Sequence, residues 1–119
     1  MNANDLRIGN WVQFRHTETP VRITLGDFVR EYNDEHLEDY EPIPLTEEWL
    51  LKFGFKSDVV SSVFVFKWVS INMTQDGDFW VENITGELVE IDFVHQLQNL
   101  IFALTGEELQ TDEINQKVN

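Results

Sequence analysis

The segment 59–91 constrains the fold of this chain more than any other, because it consists of short β-forming runs separated by turn signals. Its runs are rich in β-branched and aromatic side chains and cover residues 59–66, 67–73, 78–82 and 87–91. Gln75–Gly77 and Asn83–Gly86 are turn signals of the kind that joins neighbouring antiparallel strands. Phe79 and Val81 alternate with Trp80 and Glu82, which predicts that one of the two faces is mostly polar and carries an aromatic side chain. The segment therefore predicts an antiparallel β-meander.

The N-terminal residues predict a β-hairpin. Apolar and polar side chains alternate over 6–14 and again over 21–25, and Gly9-Asn10 marks a bend or bulge in the first run. Gly26-Asp27 is a turn signal, and Phe28-Val29 after it predicts the start of another short strand. We expect either a curled hairpin or the beginning of a small barrel.

A short helix is predicted over 46–53. Thr46 is a good N-cap, and two glutamates follow it in the first turn, where carboxylates favour the positive end of the helix dipole. Gly54 can adopt the left-handed conformation that closes a helix. Two turns cannot be stable alone, so we expect this helix to pack on a sheet.

An amphipathic helix is predicted at the C-terminal end, from Phe93 to Thr105, with Asp92 as N-cap and Gly106 after its last turn. Its apolar side chains recur at the spacing of one buried helix face. That stripe contains Phe93, Leu97, Leu100, Ile101 and Leu104, and leaves Gln96, Gln98 and Asn99 outside it. The segment 31–42 between the predicted elements is strongly acidic and is expected to be a solvated loop.

These elements define an α+β fold: an N-terminal β-hairpin, a short helix, an antiparallel β-meander and a C-terminal amphipathic helix. A chain of 119 residues suits one domain with one core. We expect a single acidic domain over residues 1–109 and a polar tail over 110–119.

Residue types and spacings argue against catalysis. The chain has no cysteine, which excludes disulfides, thiolate metal sites and cysteine nucleophiles. Its three histidines, His16, His36 and His95, are too far apart in sequence for a histidine metal motif, and no nucleophile or phosphate-binding motif is present. His95 with Gln96 and Asn99 is an alternative polar patch for a ligand. We expect no catalytic residues, no metal and no cofactor, and a protein that is not an enzyme.

The charge is strongly asymmetric along the chain. The formal net charge is −14, yet residues 1–30 hold four arginines against three acids, so the excess of acids lies entirely after residue 30. Such a surface repels nucleic acid and anionic membranes and attracts a basic protein surface. The chain has no signal-peptide pattern and no membrane-length apolar run, so a cytoplasmic location is expected.

Three stretches resemble, in the same order, parts of a family of small uncharacterised proteins of Bacteroidetes genomes, prophages and phages. These stretches are Leu6–Val12, Pro42–Phe55 and Val94–Leu109, the last interrupted at Ile101. The chain resembles this family over about a third of its length. The resemblance implies a phage or mobile-element setting. It implies no activity, because none is established for the family.

The leading hypothesis is an accessory protein that binds a host or phage macromolecule through a protein–protein contact. A more specific version is that the protein is an acidic inhibitor or a DNA mimic. The residues expected at that contact are aromatic and acidic: Tyr32, Asp34, Glu35, Glu38, Asp39, Tyr40 and Trp80. One alternative is a protein that binds an anionic small ligand through Arg7, Arg15, Arg22 and Arg30. Another is a structural, self-assembling phage component.

Overall fold

The structure is a computed structural model, and it describes residues 1–34, 36–58, 62–82 and 85–111. It contains both helices and antiparallel strands, as the α+β class requires, so that prediction is confirmed. Residue contacts divide the chain into two compact units. The first unit contains Met1–Pro44 and Phe93–Asn99, and the second contains Leu45–Asp92 and the residues from Leu100 onward.

The first unit has a three-stranded antiparallel sheet in the order β2-β1-β3. These strands are β1 (Trp11–Phe14), β2 (Pro20–Arg22) and β3 (Tyr40–Glu41). The predicted hairpin is therefore present, but the described strands form no closed barrel. Gly9 has a φ of 96°, a left-handed conformation open to glycine, and its N–H donates to the carbonyl of Ile23. The predicted bend at Gly9-Asn10 thus precedes β1 and anchors the chain after β2.

Helix α1 (Leu25–Asp34) occupies a place where a strand and a solvated loop were expected, so both expectations are wrong. Thr24 and Asp27 form a capping box, in which each side chain accepts a hydrogen bond from the other residue's backbone N–H. This box starts a helix in a segment with few apolar residues. A 3₁₀ helix (His36–Asp39) follows and leads into β3, with Leu37 buried.

The second unit begins with α2 (Glu47–Lys52), which confirms the predicted short helix. Thr46 is its N-cap and accepts a hydrogen bond from the N–H of Trp49. Gly54 has a φ of 92°, and it donates to the carbonyl of Leu51, so the helix ends in the predicted left-handed turn.

The predicted antiparallel meander is present, as a five-stranded sheet in chain order that has one strand more than the four predicted runs, because Lys56–Asp58 pairs with Val63–Phe66. Residues 59–61 of the first predicted run lie outside the described residues. Its strands are β4 (Lys56–Asp58), β5 (Val63–Phe66), β6 (Val69–Met73), β7 (Phe79–Glu82) and β8 (Leu88–Ile91). The expected alternation in β7 is present: Phe79 and Val81 are buried, Trp80 is half-buried and Glu82 is exposed. The buried side chains define the inner face of this sheet, and the opposite side is its outer face.

Helix α3 (Val94–Thr105) is present, and Gly106 follows it with a φ of 75°. Its buried stripe differs from the predicted one. Leu97 and Ile101 are buried as expected, but His95 and Gln98 are buried too, whereas Leu104 is exposed. The sequence pattern counted only apolar side chains and so missed the two polar ones. Residues 112–119 of the predicted tail 110–119 lie outside the described residues; of the other two, Gln110 is exposed and Thr111 is buried.

Candidate functional site

An open groove of about 540 Å³ lies in the second unit, along the inner face of the five-stranded sheet and the last turns of α3. The neighbouring strands β6, β7 and β8 contribute one valine each, and α3 contributes two leucines. The apolar lining consists of Val69, Val81, Val89, Leu100 and Leu104, and Trp68, Ser70, Asn72, Glu82 and Thr85 complete it. A groove of this composition suits an apolar ligand or the side chains of a partner.

The groove lies along one cross-strand row of the inner face, in which the side chains are less buried toward β8. Ile71, Val81 and Val89 are cross-strand neighbours on β6, β7 and β8. Ile71 and Val81 are buried, but Val89 is 44 % exposed. Because β8 is the last strand in the sheet order, no described strand lies beyond Val89 to cover it.

Trp68 lies at the groove in the two-residue turn between β5 and β6. Lys67 beside it has a φ of 54°, the left-handed conformation that tight hairpin turns require. The Lys67 ammonium forms an ion pair with Glu107, just beyond α3, so the turn is tethered near the end of that helix. The Trp68 side chain remains 63 % exposed. An exposed tryptophan next to an apolar groove is a typical anchor of a protein–protein contact.

Carboxylates surround this region of the second unit. Glu82 lines the groove, and Glu90 lies on the outer face of β8 opposite Trp80. Slight desolvation, together with the neighbouring carboxylates of Asp92 and Asp78, raises the pKa of Glu90 above its usual value. A side-chain hydrogen bond with Asp92 contributes to the shift as well. Since part of the shift is repulsion from Asp92 and Asp78, a cation placed among these acids would relieve that part.

The first unit has a separate cleft of about 580 Å³ at the beginning of α3. His95, Gln96 and Asn99, the alternative polar patch suggested by the sequence, all line it. The remaining lining consists of Met1, Asn2, Asp5, Pro42 and Phe93. His95 is buried, its ring stacks on that of Phe93 with centroids 6.0 Å apart, and its Nδ1 has no hydrogen-bond partner. Burial lowers the pKa of His95, against the opposing charge of Asp5, so the ring is neutral at pH 7.

A polar network behind this cleft fixes the N-terminal segment to α3. The fully buried Gln98 accepts a hydrogen bond from the N–H of Trp11 at 2.7 Å and donates to the carbonyl of Gly9 at 3.0 Å. The Oδ1 of Asn99 accepts hydrogen bonds from Arg7 Nε at 2.7 Å and from Asn10 Nδ2 at 2.9 Å. Neither Gln98 nor Asn10 was predicted to be buried. Gln98 lies outside the predicted apolar stripe, although the apolar Val94 and Ile101 lie four residues before it and three residues after it.

Tyr40 is buried, which is a correction to its expected place on an exposed contact surface together with Trp80. Its hydroxyl donates to Oδ1 of Asp27 at 2.9 Å, and Nε2 of His36 lies 3.0 Å from the same oxygen. Burial, together with the hydrogen bond to Asp27, raises the pKa of Tyr40 to about 12. Tyr40 therefore holds the acidic segment together and is not available to a partner.

The other predicted contact residues are dispersed. Tyr32 is 91 % exposed on α1, and Glu38 and Asp39 are exposed on the 3₁₀ helix. Glu35 lies outside the described residues, as does the side chain of Asp34. Trp80 belongs to the second unit, on the outer face of the sheet.

The four arginines do not converge on either of the two cavities described above. Arg7 is engaged with Asn99 and the carbonyl of Gln98, and the Arg22 guanidinium lies 5.7 Å from the centroid of the Trp11 ring. Arg15 and Arg30 are exposed. The pocket of converging arginines that would favour an anionic small ligand is not present at these two sites.

Two further observations concern function. The described residues hold no group of three or more His, Asp or Glu side chains placed to bind a metal ion. Within the same part of the chain, no helix combines the length and the apolar character needed to cross a membrane. Comparisons with family models, curated proteins and solved structures found no match to this chain.

Proposed function

We propose that this protein is a binding module whose second unit holds a segment of a partner protein that carries both apolar and basic side chains. The observation that supports the proposal is the apolar groove beside an exposed tryptophan, in a unit that is otherwise rich in carboxylates. The resemblance to phage and prophage proteins makes a bacterial host protein or another phage protein the natural partner.

The apolar part of the recognition comes from the groove. Val89 and Leu104 are exposed there in the free protein, so a partner that covers them removes apolar surface from water, at roughly 25 cal/mol per Å². Trp68 adds a large flat side chain that loses little conformational entropy when it is buried. The groove therefore provides affinity without a pre-formed polar pocket.

The basic part of the recognition comes from charge. The chain carries a formal charge of −14, and Glu82 and Glu90 lie in or next to the groove region. Complementary charge accelerates association and selects among partners more than it increases affinity. A partner with lysines or arginines beside its apolar residues fits both features, and an acidic partner is rejected.

The first test is selection of binders from a library of random peptides displayed on a carrier, followed by titration of the selected peptides. We expect the selected sequences to be enriched in apolar and basic residues together. Trp68→Ala should weaken their binding by about tenfold or more, as loss of a buried aromatic anchor does. Raising the salt concentration should weaken it further, because the charge contribution is screened.

Leu51→Ala is the matched control, because Leu51 is a 47 % exposed apolar residue of the same unit that does not line the groove. Its peptide affinity should equal that of the wild type. Selected peptides whose binding is lost equally in Leu51→Ala and Trp68→Ala, or is unchanged in both, would contradict the proposal. Enrichment of acidic sequences would contradict its electrostatic part.

A further inference from the structure

Strand β8 is an edge of the five-stranded sheet. It pairs with β7 on one side, and no described strand pairs with it on the other. Leu88, Val89 and Glu90 are all exposed on it, with Leu88 at 58 %. Directly after the strand, the N–H of Leu45 donates to the carbonyl of Asp92, so the open part of the edge is β8 itself. An open edge that presents apolar side chains is a template for pairing with another chain.

The two faces of β8 have different chemistry. Val89 lies on the inner face, across from Val81, and lines the groove with Leu100 and Leu104 of α3. Leu88 and Glu90 lie on the outer face, where Glu90 belongs to the carboxylate cluster. Since side chains alternate along a strand, a strand added beside β8 would direct every second side chain into the groove and the others toward Glu90.

We propose that the partner segment binds by strand addition to β8, and that apolar side chains alternate with lysine or arginine along it. Its inward apolar side chains cover Val89 and fill the groove, and its outward basic side chains lie beside Glu90. The backbone of the segment forms hydrogen bonds with the outward-facing backbone groups of β8, which pair with no described strand. This inference deepens the proposed function and rests on it.

Charge excludes a second copy of the same chain as the occupant. Pairing two β8 edges would bring together two sets of the Glu90, Asp92 and Asp78 carboxylates, which already repel one another within one copy. Like charges in close cross-strand positions are destabilising, and each copy adds a charge of −14. The charge on this edge therefore disfavours pairing with the β8 edge of a second copy and favours pairing with a basic segment.

The test uses an acetylated, amidated peptide of about seven residues in which lysine and valine alternate, the length of an ordinary strand. Two N-methylated forms of this peptide are compared. One form is methylated at the backbone nitrogens of the odd-numbered residues, and the other at those of the even-numbered residues. In a strand at the edge of a sheet, only one phase of N–H groups faces the neighbouring strand. We expect one form to bind about tenfold or more weakly than the parent peptide, and the other to bind as the parent does.

Two controls separate strand addition from simple attraction of charge. A peptide with the same composition in which the lysines and valines are grouped should bind at least about tenfold more weakly than the alternating one. Glu90→Lys should weaken binding of the lysine peptide and restore binding to a peptide in which glutamate alternates with valine. Amide exchange of residues 88–91 should slow when the peptide is bound.

The outcomes distinguish this inference from the function on which it rests. Equal binding of both N-methylated forms, with binding still lost in Trp68→Ala, would overturn strand addition and leave groove binding intact. Binding that is insensitive to Trp68→Ala would overturn the proposed function itself. Absence of any binding by the alternating peptide at millimolar concentration would also overturn strand addition.

Discussion

Asp27 is a buried carboxylate that accepts hydrogen bonds from both of its neighbouring elements. Its Oδ2 receives the N–H of Thr24 at 2.7 Å, and its Oδ1 receives the Tyr40 hydroxyl at 2.9 Å and lies 3.0 Å from Nε2 of His36. Burial raises the pKa of Asp27, but these hydrogen bonds outweigh it and hold the pKa below the usual 3.8. One side chain thus joins the start of α1 to the 3₁₀ helix and β3.

Asp27→Asn should reduce the free energy of unfolding by about 1–3 kcal/mol, because the amide nitrogen cannot accept the hydrogen bonds that one carboxylate oxygen receives. A group with a lowered folded-state pKa stabilises the protein above its unfolded pKa. That stability is lost as the pH falls below about 3.8. Urea unfolding over a series of pH values should therefore show a smaller acid-induced loss of stability in the variant than in the wild type.

Asp39→Asn is the matched control for this prediction, because it removes the same charge from an exposed position of the neighbouring 3₁₀ helix. It should leave stability nearly unchanged. Equal stability losses in both variants would mean that charge alone, and not the hydrogen bonds of Asp27, stabilises the first unit.

At the scale of elements, helices α1 and α2 differ in how clearly the sequence predicts them. The segment of α2 combines Thr46 as N-cap, two glutamates and a closing glycine, so several independent signals agree. The segment of α1 has a glycine inside it and exposes Leu25 and Val29, so its apolar pattern resembles that of a loop or edge strand. Only the capping box at Thr24 and Asp27 indicated the helix.

Thr46→Ala should destabilise the protein by about 0.5–1 kcal/mol, at the lower end of the usual cost of losing an N-cap. The lower end is expected because the Thr46 Oγ1 and the Trp49 nitrogen are 3.4 Å apart, a long hydrogen bond. Thermal unfolding measures the loss. Thr46→Ser, which keeps the hydroxyl, should recover most of it; a serine variant as unstable as the alanine variant would argue against a capping role.

At the scale of the whole molecule, the dominant property is a net charge of −14 on 119 residues. Some acids are paired, as Glu48 is with Lys52 and Glu107 with Lys67, but only eight lysines and arginines face 22 acids. Excess charge of one sign keeps a protein soluble and opposes its compact state by self-repulsion. The same excess is what a basic partner would neutralise.

Salt should therefore stabilise the free protein. Raising the NaCl concentration from about 0.01 to about 0.1 M shortens the screening length from roughly 30 to roughly 10 Å, which weakens repulsion between distant carboxylates. We expect the melting temperature to rise by several degrees over this range. The double variant Glu38→Lys, Asp76→Lys, at two exposed positions, should show a smaller rise; an equal or larger rise would mean that self-repulsion is not the cause.

Part of the candidate site was visible in the sequence. The alternation in β7 placed Val81 on the same face as Phe79, and the amphipathic pattern of α3 placed Leu100 and Leu104 on one apolar stripe, although Leu104 is exposed. Trp68 was placed in the predicted strand 67–73 and Val89 in the predicted strand 87–91, and neither was predicted as a contact residue, because their exposure depends on their place in the sheet. Two signals were available in the sequence: Trp68 in a hairpin turn, and the adjacent apolar residues Leu88 and Val89 in β8.

The sequence by itself determined the α+β class, the hairpin, the meander, α2 and the C-terminal end of α3, because local propensity, capping residues and hydrophobic period are properties of neighbouring residues. The tertiary structure decided the rest. It buries Gln98, Asp27 and Tyr40, since long-range hydrogen bonds compensate their desolvation, and it leaves Val89 open at the edge of the sheet. Burial of polar groups and exposure of apolar ones depend on partners distant in sequence, which no local pattern specifies.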